Sequence, residues 1–113
     1  MNVFEKMGGD VKGRVALKTH FGEPGNKNYL NPELSKPLVQ KLGATYVETN
    51  VLYGGRRGKT ETHIEVAKEH GFDFAPIDIL ESEGDKTIPV TGLNHFDGVV
   101  VGTHMDNYDW FVL

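Results

Sequence analysis

The chain has 113 residues, a formal net charge of −4 and no cysteine; its length suits one domain, and 38% apolar with 25% charged residues suits a folded globule rather than a disordered chain. The acidic balance argues against a nucleic-acid or anionic-membrane partner, which selects a basic face. The missing cysteine excludes disulfides, thiolate zinc sites, a cysteine nucleophile and a cysteine-ligated iron–sulfur cluster within these residues.

Residues 14–20, Arg-Val-Ala-Leu-Lys-Thr-His, read as a first strand followed by a turn-rich loop over 21–28 that contains Pro24-Gly25. Leu34, Leu38 and Leu42, with Val39 beside them, have the spacing of a helix face. Two starts compete. Asn31 as cap with Pro32 in the first turn leaves Pro37 inside the helix, whereas Ser35 as cap moves Pro37 into the first turn, where a missing N–H costs little. The second is preferred, with a short turn over 32–34, and Gly43 ends the helix.

Residues 45–50 predict a second strand, and 53–59 a loop rich in glycine and arginine. A second helix is expected over 61–70, with Thr62 and Glu65 as a capping box and Gly71 at its end. A third strand follows over 75–80, then a turn at 81–85. Residues 86–90 are expected to pair back as a hairpin, and 98–102 to form a further short strand. Residues 108–113 read as a buried strand just beginning, which suggests the front of a larger domain cut short; a terminal edge strand is the alternative. The β-α-β-α-β order predicts an α/β fold: a mostly parallel sheet with right-handed crossovers, helices on at least one face, and a short hairpin. Residues 1–113 then form one domain or its N-terminal part. No apolar run has the length of a signal peptide core or a membrane helix, so a cytoplasmic location is expected.

In an open parallel sheet, ligands bind beyond the C-terminal strand ends, which selects the loops after His20 and Asn50. His20 with Glu23 suits a metal ligand pair, or a base oriented by a carboxylate. Gly58-Lys59-Thr60 suggests a phosphate loop, but Gly54 leaves three residues before the Gly-Lys pair and Gly55 two, where the Walker pattern requires four. A looser anion site remains, made of Gly54, Gly55, Arg56, Arg57 and Lys59 at a helix start. His63 and His70 lie about 10 Å apart at ~1.5 Å per helical residue, too far to share one metal ion. His63 is close to the basic loop, and His70 suits a helix C-terminus. His104 joins the others only through the fold, and His95 has no supporting context. The candidate metal ligands are therefore His20, Glu23, His63 and His104, for a divalent ion. No nucleophile elbow and no carboxylate pair suited to glycoside chemistry is present.

The stretches Val15-Ala16-Leu17-Lys18-Thr19-His20-Phe21-Gly22-Glu23-Pro24-Gly25-Asn26 and Glu48-Thr49-Asn50-Val51-Leu52-Tyr53-Gly54-Gly55-Arg56-Arg57 resemble two signatures of the domain of unknown function 362 family. His63, Glu69-His70-Gly71-Phe72, Val101-Gly102-Thr103-His104 and Tyr108-Asp109 fall where that family's pattern would put them. The resemblance implies an iron–sulfur-associated protein of unestablished activity, because many members carry a ferredoxin-like module with four-cysteine motifs. It also implies a following Ser-His-Phe-Lys-Gly-His stretch after residue 113. Three readings stay open: a module binding a metal ion or small anion, an enzyme with His20 as base and an arginine clamp, and an inactive fragment that folds as a homo-oligomer.

Overall fold

The computed structural model describes residues 2–7 and 10–113. In chain order the elements are α1 (Asn2–Lys6), β1 (Val15–Lys18), α2 (Pro32–Leu42), β2 (Thr45–Glu48), α3 (Thr60–Glu69), β3 (Ile77–Ile79), β4 (Asp85–Pro89), β5 (Gly98–Gly102) and β6 (Trp110–Val112). Two 3-10 turns, Arg56–Gly58 and Thr103–Asn107, precede α3 and β6. β1, β2, β3 and β6 are shorter than the predicted runs, whereas β5 spans the predicted residues 98–102 and β4 keeps the predicted length, shifted by one residue.

The main sheet has the order β3-β2-β1-β6, with all neighbours parallel. The crossovers β1-α2-β2 and β2-α3-β3 step in the same direction, and right-handedness then places α2 and α3 on one face. There Val15, Leu17, Tyr46 and Ile79 meet Val39 and Ala67, with Phe21 and Phe72 between them. Tyr46 and Phe72 contact edge-to-face at 5.2 Å between ring centres, and Phe21 and Phe72 at 5.1 Å. The chain then returns across the sheet to set β6 beside β1. The opposite face carries a smaller core of Ala16, Val47 and Leu80 against Met105, Tyr108 and Phe111. The expected α/β fold with a parallel sheet is what forms.

Two local expectations are corrected. The first helix begins at Pro32, not Ser35: Asn31 Oδ1 accepts the Glu33 N–H at 3.0 Å, and Pro32 fills the first helical position. Ser35 is unavailable as a cap, because its hydroxyl donates to the Pro32 carbonyl at 3.1 Å and meets the buried Tyr46 hydroxyl at 2.5 Å. Pro37 therefore lies inside α2, on its exposed side. Gly43 ends the helix in the left-handed region at φ 59°. The predicted capping box on α3 does not form. Thr62 turns its hydroxyl to the carbonyls of Arg56 and Lys59, and Glu65 pairs with Arg56 at 3.4 Å.

The hairpin also pairs differently. β4 does not fold back on β3 but joins β5, from Asp85 opposite Gly102 to Pro89 opposite Gly98. Successive turn bonds, Ser82 N–H to Ile79 O and Gly84 N–H to Glu81 O, lead the chain off the sheet before β4 begins. Gly102 then packs directly on the Leu80 backbone, so close that a Cβ there would collide with it. Among the described residues, no helix is long and apolar enough to cross a membrane.

Candidate functional site

The loops after β1 and β2 converge with the start of α3, and one buried arginine links them. After β2 the chain tightens into the 3-10 turn, where Gly58 N–H meets Gly55 O at 3.1 Å and Val51 N–H meets Arg57 O at 3.1 Å. Consecutive residues in such a turn point apart. Arg56 faces outward and forks onto Glu69 at 2.9 and 2.6 Å. Arg57 faces inward, and its side chain is 3% exposed.

Arg57 uses every side of its guanidinium. Nε donates to His63 Nε2 at 3.2 Å. Nη1 donates to the Tyr53 hydroxyl at 3.3 Å and to Glu23, while Nη2 lies 3.6 Å from Glu48 Oε2. The Glu48 carboxylate is itself buried, and its Oε1 is met by Lys18 Nζ at 2.5 Å and the Thr49 N–H at 3.0 Å. Two cations, Lys18 and Arg57, thus face two carboxylates, Glu23 and Glu48. Burying charges is tolerable only when they are paired and hydrogen-bonded in this way.

The fixed donors settle the state of each histidine ring. A backbone or guanidinium N–H can only donate, so the nitrogen it meets must offer a lone pair. Gly22 N–H donates to His20 Nδ1 at 2.8 Å; the neutral ring therefore carries its proton on Nε2, and the 3.5 Å approach of Arg57 Nη1 to that nitrogen is a contact between two donors rather than a hydrogen bond. Arg57 fixes His63 the other way: Nε2 accepts, and Nδ1–H donates to Asn50 Oδ1 at 3.1 Å. Asn50 is held in turn by its amide, which donates to Thr60 Oγ1 at 3.1 Å. Burial first, then the Arg57 charge, pushes the His63 pKa down to about 4, so this ring is neutral at neutral pH. The Tyr53 hydrogen bond, reinforced by Arg57, holds Glu23 below the usual carboxylate range, and the same bond to Glu23 raises Tyr53.

Of the sequence candidates, His20, Glu23, His63 and Arg57 meet in this cluster, and His104 does not. His104 lies on the opposite face of the sheet from α3, in a second polar group. Its Nδ1–H donates to Asp78 at 2.7 Å and its Nε2–H to Glu83 at 2.9 Å, while the Tyr108 hydroxyl donates to Asp78 at 2.7 Å. Gly54, Gly55 and Lys59 rim a separate open depression of about 260 Å³, which Tyr53 also lines. Arg56 is spent on Glu65 and Glu69. His70 donates from Nδ1 to Phe21 O at 2.7 Å and stacks on Tyr29 at 4.2 Å, tying down the loop after β1.

Among the described residues, no group of three or more His, Asp or Glu side chains is placed to hold a metal ion. The cause is visible at the cluster's centre. Both His63 nitrogens and one nitrogen of His20 are already engaged, and Arg57 occupies the space between them. A cation 4 Å from that guanidinium would meet about 4 kcal/mol of repulsion per unit charge at an effective dielectric of 20. A cysteine-ligated cluster has no ligand in this chain.

Four residues of the cluster escape sequence reasoning: Lys18, Glu48, Asn50 and Tyr53. Glu48 left a faint signal, as a carboxylate inside the predicted strand over 45–50. Comparison with curated proteins and with solved structures finds no match. The family model described as domain of unknown function (DUF362) matches residues 15–113, a span that takes in both loops, Arg57 and His104. The chain belongs to that family.

Proposed function

We propose that this chain provides a binding site for a small anion, with the Arg57 guanidinium as its anchor. The observation that carries the reading is the asymmetry of the Arg57 shell. Glu48 and His63 are buried and fixed, whereas the third side is closed by Glu23, whose side chain is 37% exposed. The other groups at that opening are donors, the Tyr53 hydroxyl and the Nε2–H of His20. A permanent cation with neighbouring donors suits an anion and repels a divalent metal. A catalytic base is less well served, because the free nitrogen of neutral His20 bears a proton rather than a lone pair. The test is a thermal melt of the purified chain with millimolar acetate, inorganic phosphate and divalent metal salts. Stabilisation by an anion that disappears in Arg57→Lys supports the reading; stabilisation by metals alone overturns it.

A second reading, self-association, has its own observation. Among the described residues β6 pairs only with β1, and Trp110 on this edge strand is 47% exposed. Sheet edges of this kind pair with other chains. Light scattering at micromolar concentration tests it, and a monodisperse monomer refutes it.

A further inference from the structure

Resting on the anion-site reading, we infer that Glu23 is a resident stand-in for the ligand, and that the ligand it stands in for is a monocarboxylate. The Tyr53 hydroxyl and Arg57 Nη1 both converge on Glu23 Oε1, so the chamber already displays the chemistry it accepts. Glu23 is also the wall that can leave. The main chain of its turn is closed independently by Asn26 N–H on Glu23 O at 3.0 Å, so the side chain can swing to solvent with the backbone in place. Its neighbours favour such a turn: Gly22 lies at φ 87° and Gly25 at φ 76°, on either side of Glu23-Pro24.

Charge balance selects among anions. With Glu23 inside, Lys18 and Arg57 offset Glu23 and Glu48. A monocarboxylate entering as Glu23 leaves keeps that balance, whereas a dianion adds an uncompensated charge beside the buried Glu48, 3.6 Å from the same guanidinium. The second oxygen of the ligand has a donor waiting in His20 Nε2–H, which is fixed in place by the Gly22 N–H on Nδ1. A tethered competitor acts at millimolar or higher effective concentration and weakens the apparent affinity of the free ligand accordingly.

The experiment is calorimetric titration of the whole chain with acetate and with inorganic phosphate, for wild type, Glu23→Gln and Glu23→Ala. Expected is acetate binding at least about 10-fold tighter in both variants than in wild type, with no such gain for phosphate. Two variants of different size guard against a folding defect in one of them, and circular dichroism checks each. Equal acetate affinity in all three proteins overturns the stand-in role of Glu23. A gain for phosphate but not acetate overturns the carboxylate class and leaves the anion site standing. Binding of neither anion by any of the three overturns the anion site itself.

Discussion

Replacing Arg57 by methionine keeps most of the side-chain volume and removes the charge. The change strands four groups. His63 Nε2 loses its donor at 3.2 Å, Tyr53 and Glu23 lose theirs, and Glu48 loses its ion pair at 3.6 Å. Breaking a buried pair by removing one partner costs about 3–5 kcal/mol. Two features place this case at the lower end of that range. Glu48 keeps Lys18 at 2.5 Å and the Thr49 N–H, and half-exposed Glu23 can turn to water. The orphaned His63 nitrogen is fully buried, and an unmade bond of that kind costs about 1–3 kcal/mol. A loss of about 3–4 kcal/mol is expected, a large share of the ~5–15 kcal/mol of a typical domain. Urea unfolding followed by circular dichroism and by the single tryptophan, Trp110, measures it. The double variant Arg57→Met/Glu48→Gln should lose less than the two single losses added, since the second change removes the charge that the first strands. A loss below about 1 kcal/mol in Arg57→Met would refute the claim that this guanidinium organises both loops.

Two histidines, buried His63 and half-buried His104, make opposite predictions against pH. His63 has a folded pKa of about 4 against an unfolded value near 6.5, so its contribution is present above pH 6.5 and is lost as pH falls toward 4, by up to roughly 3 kcal/mol. His104 is raised, first by the Asp78 hydrogen bond and then by Glu83; its contribution is present below pH 6.5 and is lost as pH rises through the folded value. Thermal melts should therefore peak between these two losses, with His63→Asn flattening the acid limb and His104→Gln the alkaline one; an unchanged profile in either variant refutes that assignment. Gly102→Ala should cost at least about 1–3 kcal/mol in urea unfolding, because its methyl group meets the Leu80 backbone rather than a movable side chain. A neutral result there would mean that the contact between β5 and the end of β3 is looser than described.

The sheet was legible because periodicity and punctuation agreed. The strands and the two crossover helices lie within a few residues of their apolar runs, and Gly43 stops α2 where expected. What failed were choices between two satisfactory local signals. At Asn31 and Ser35 both caps were available, and the decision came from Tyr46 on the neighbouring strand, which takes the Ser35 hydroxyl into the core. At Thr62 and Glu65 the capping box lost to Arg56, whose position depends on the preceding 3-10 turn. The partner of β4 was hidden for the same kind of reason, since turn bonds at Ser82 and Gly84 decide where the strand leaves the sheet.

The site shows a harder limit, and a physical one. In sequence, Arg56 and Arg57 are equivalent, and both belong to a basic, glycine-rich loop. In the fold they carry opposite consequences. Arg56 is neutralised at the surface by Glu65 and Glu69, and Arg57 is enclosed by residues from β2, the loops after β1 and β2, and α3. Which arginine turns inward is set by the bonds of Gly58 and Val51 that wind the 3-10 turn, and these have no signature in residue type. The same turn decides what the histidines can do. A metal set read from His20, Glu23 and His63 assumes free lone pairs, yet Arg57 takes the one on His63 Nε2 and Gly22 takes the one on His20 Nδ1. Once those two donors are in place, those lone pairs are closed to a metal ion, which is why the proposed reading turns to an anion and to Glu23 as the group that holds its place.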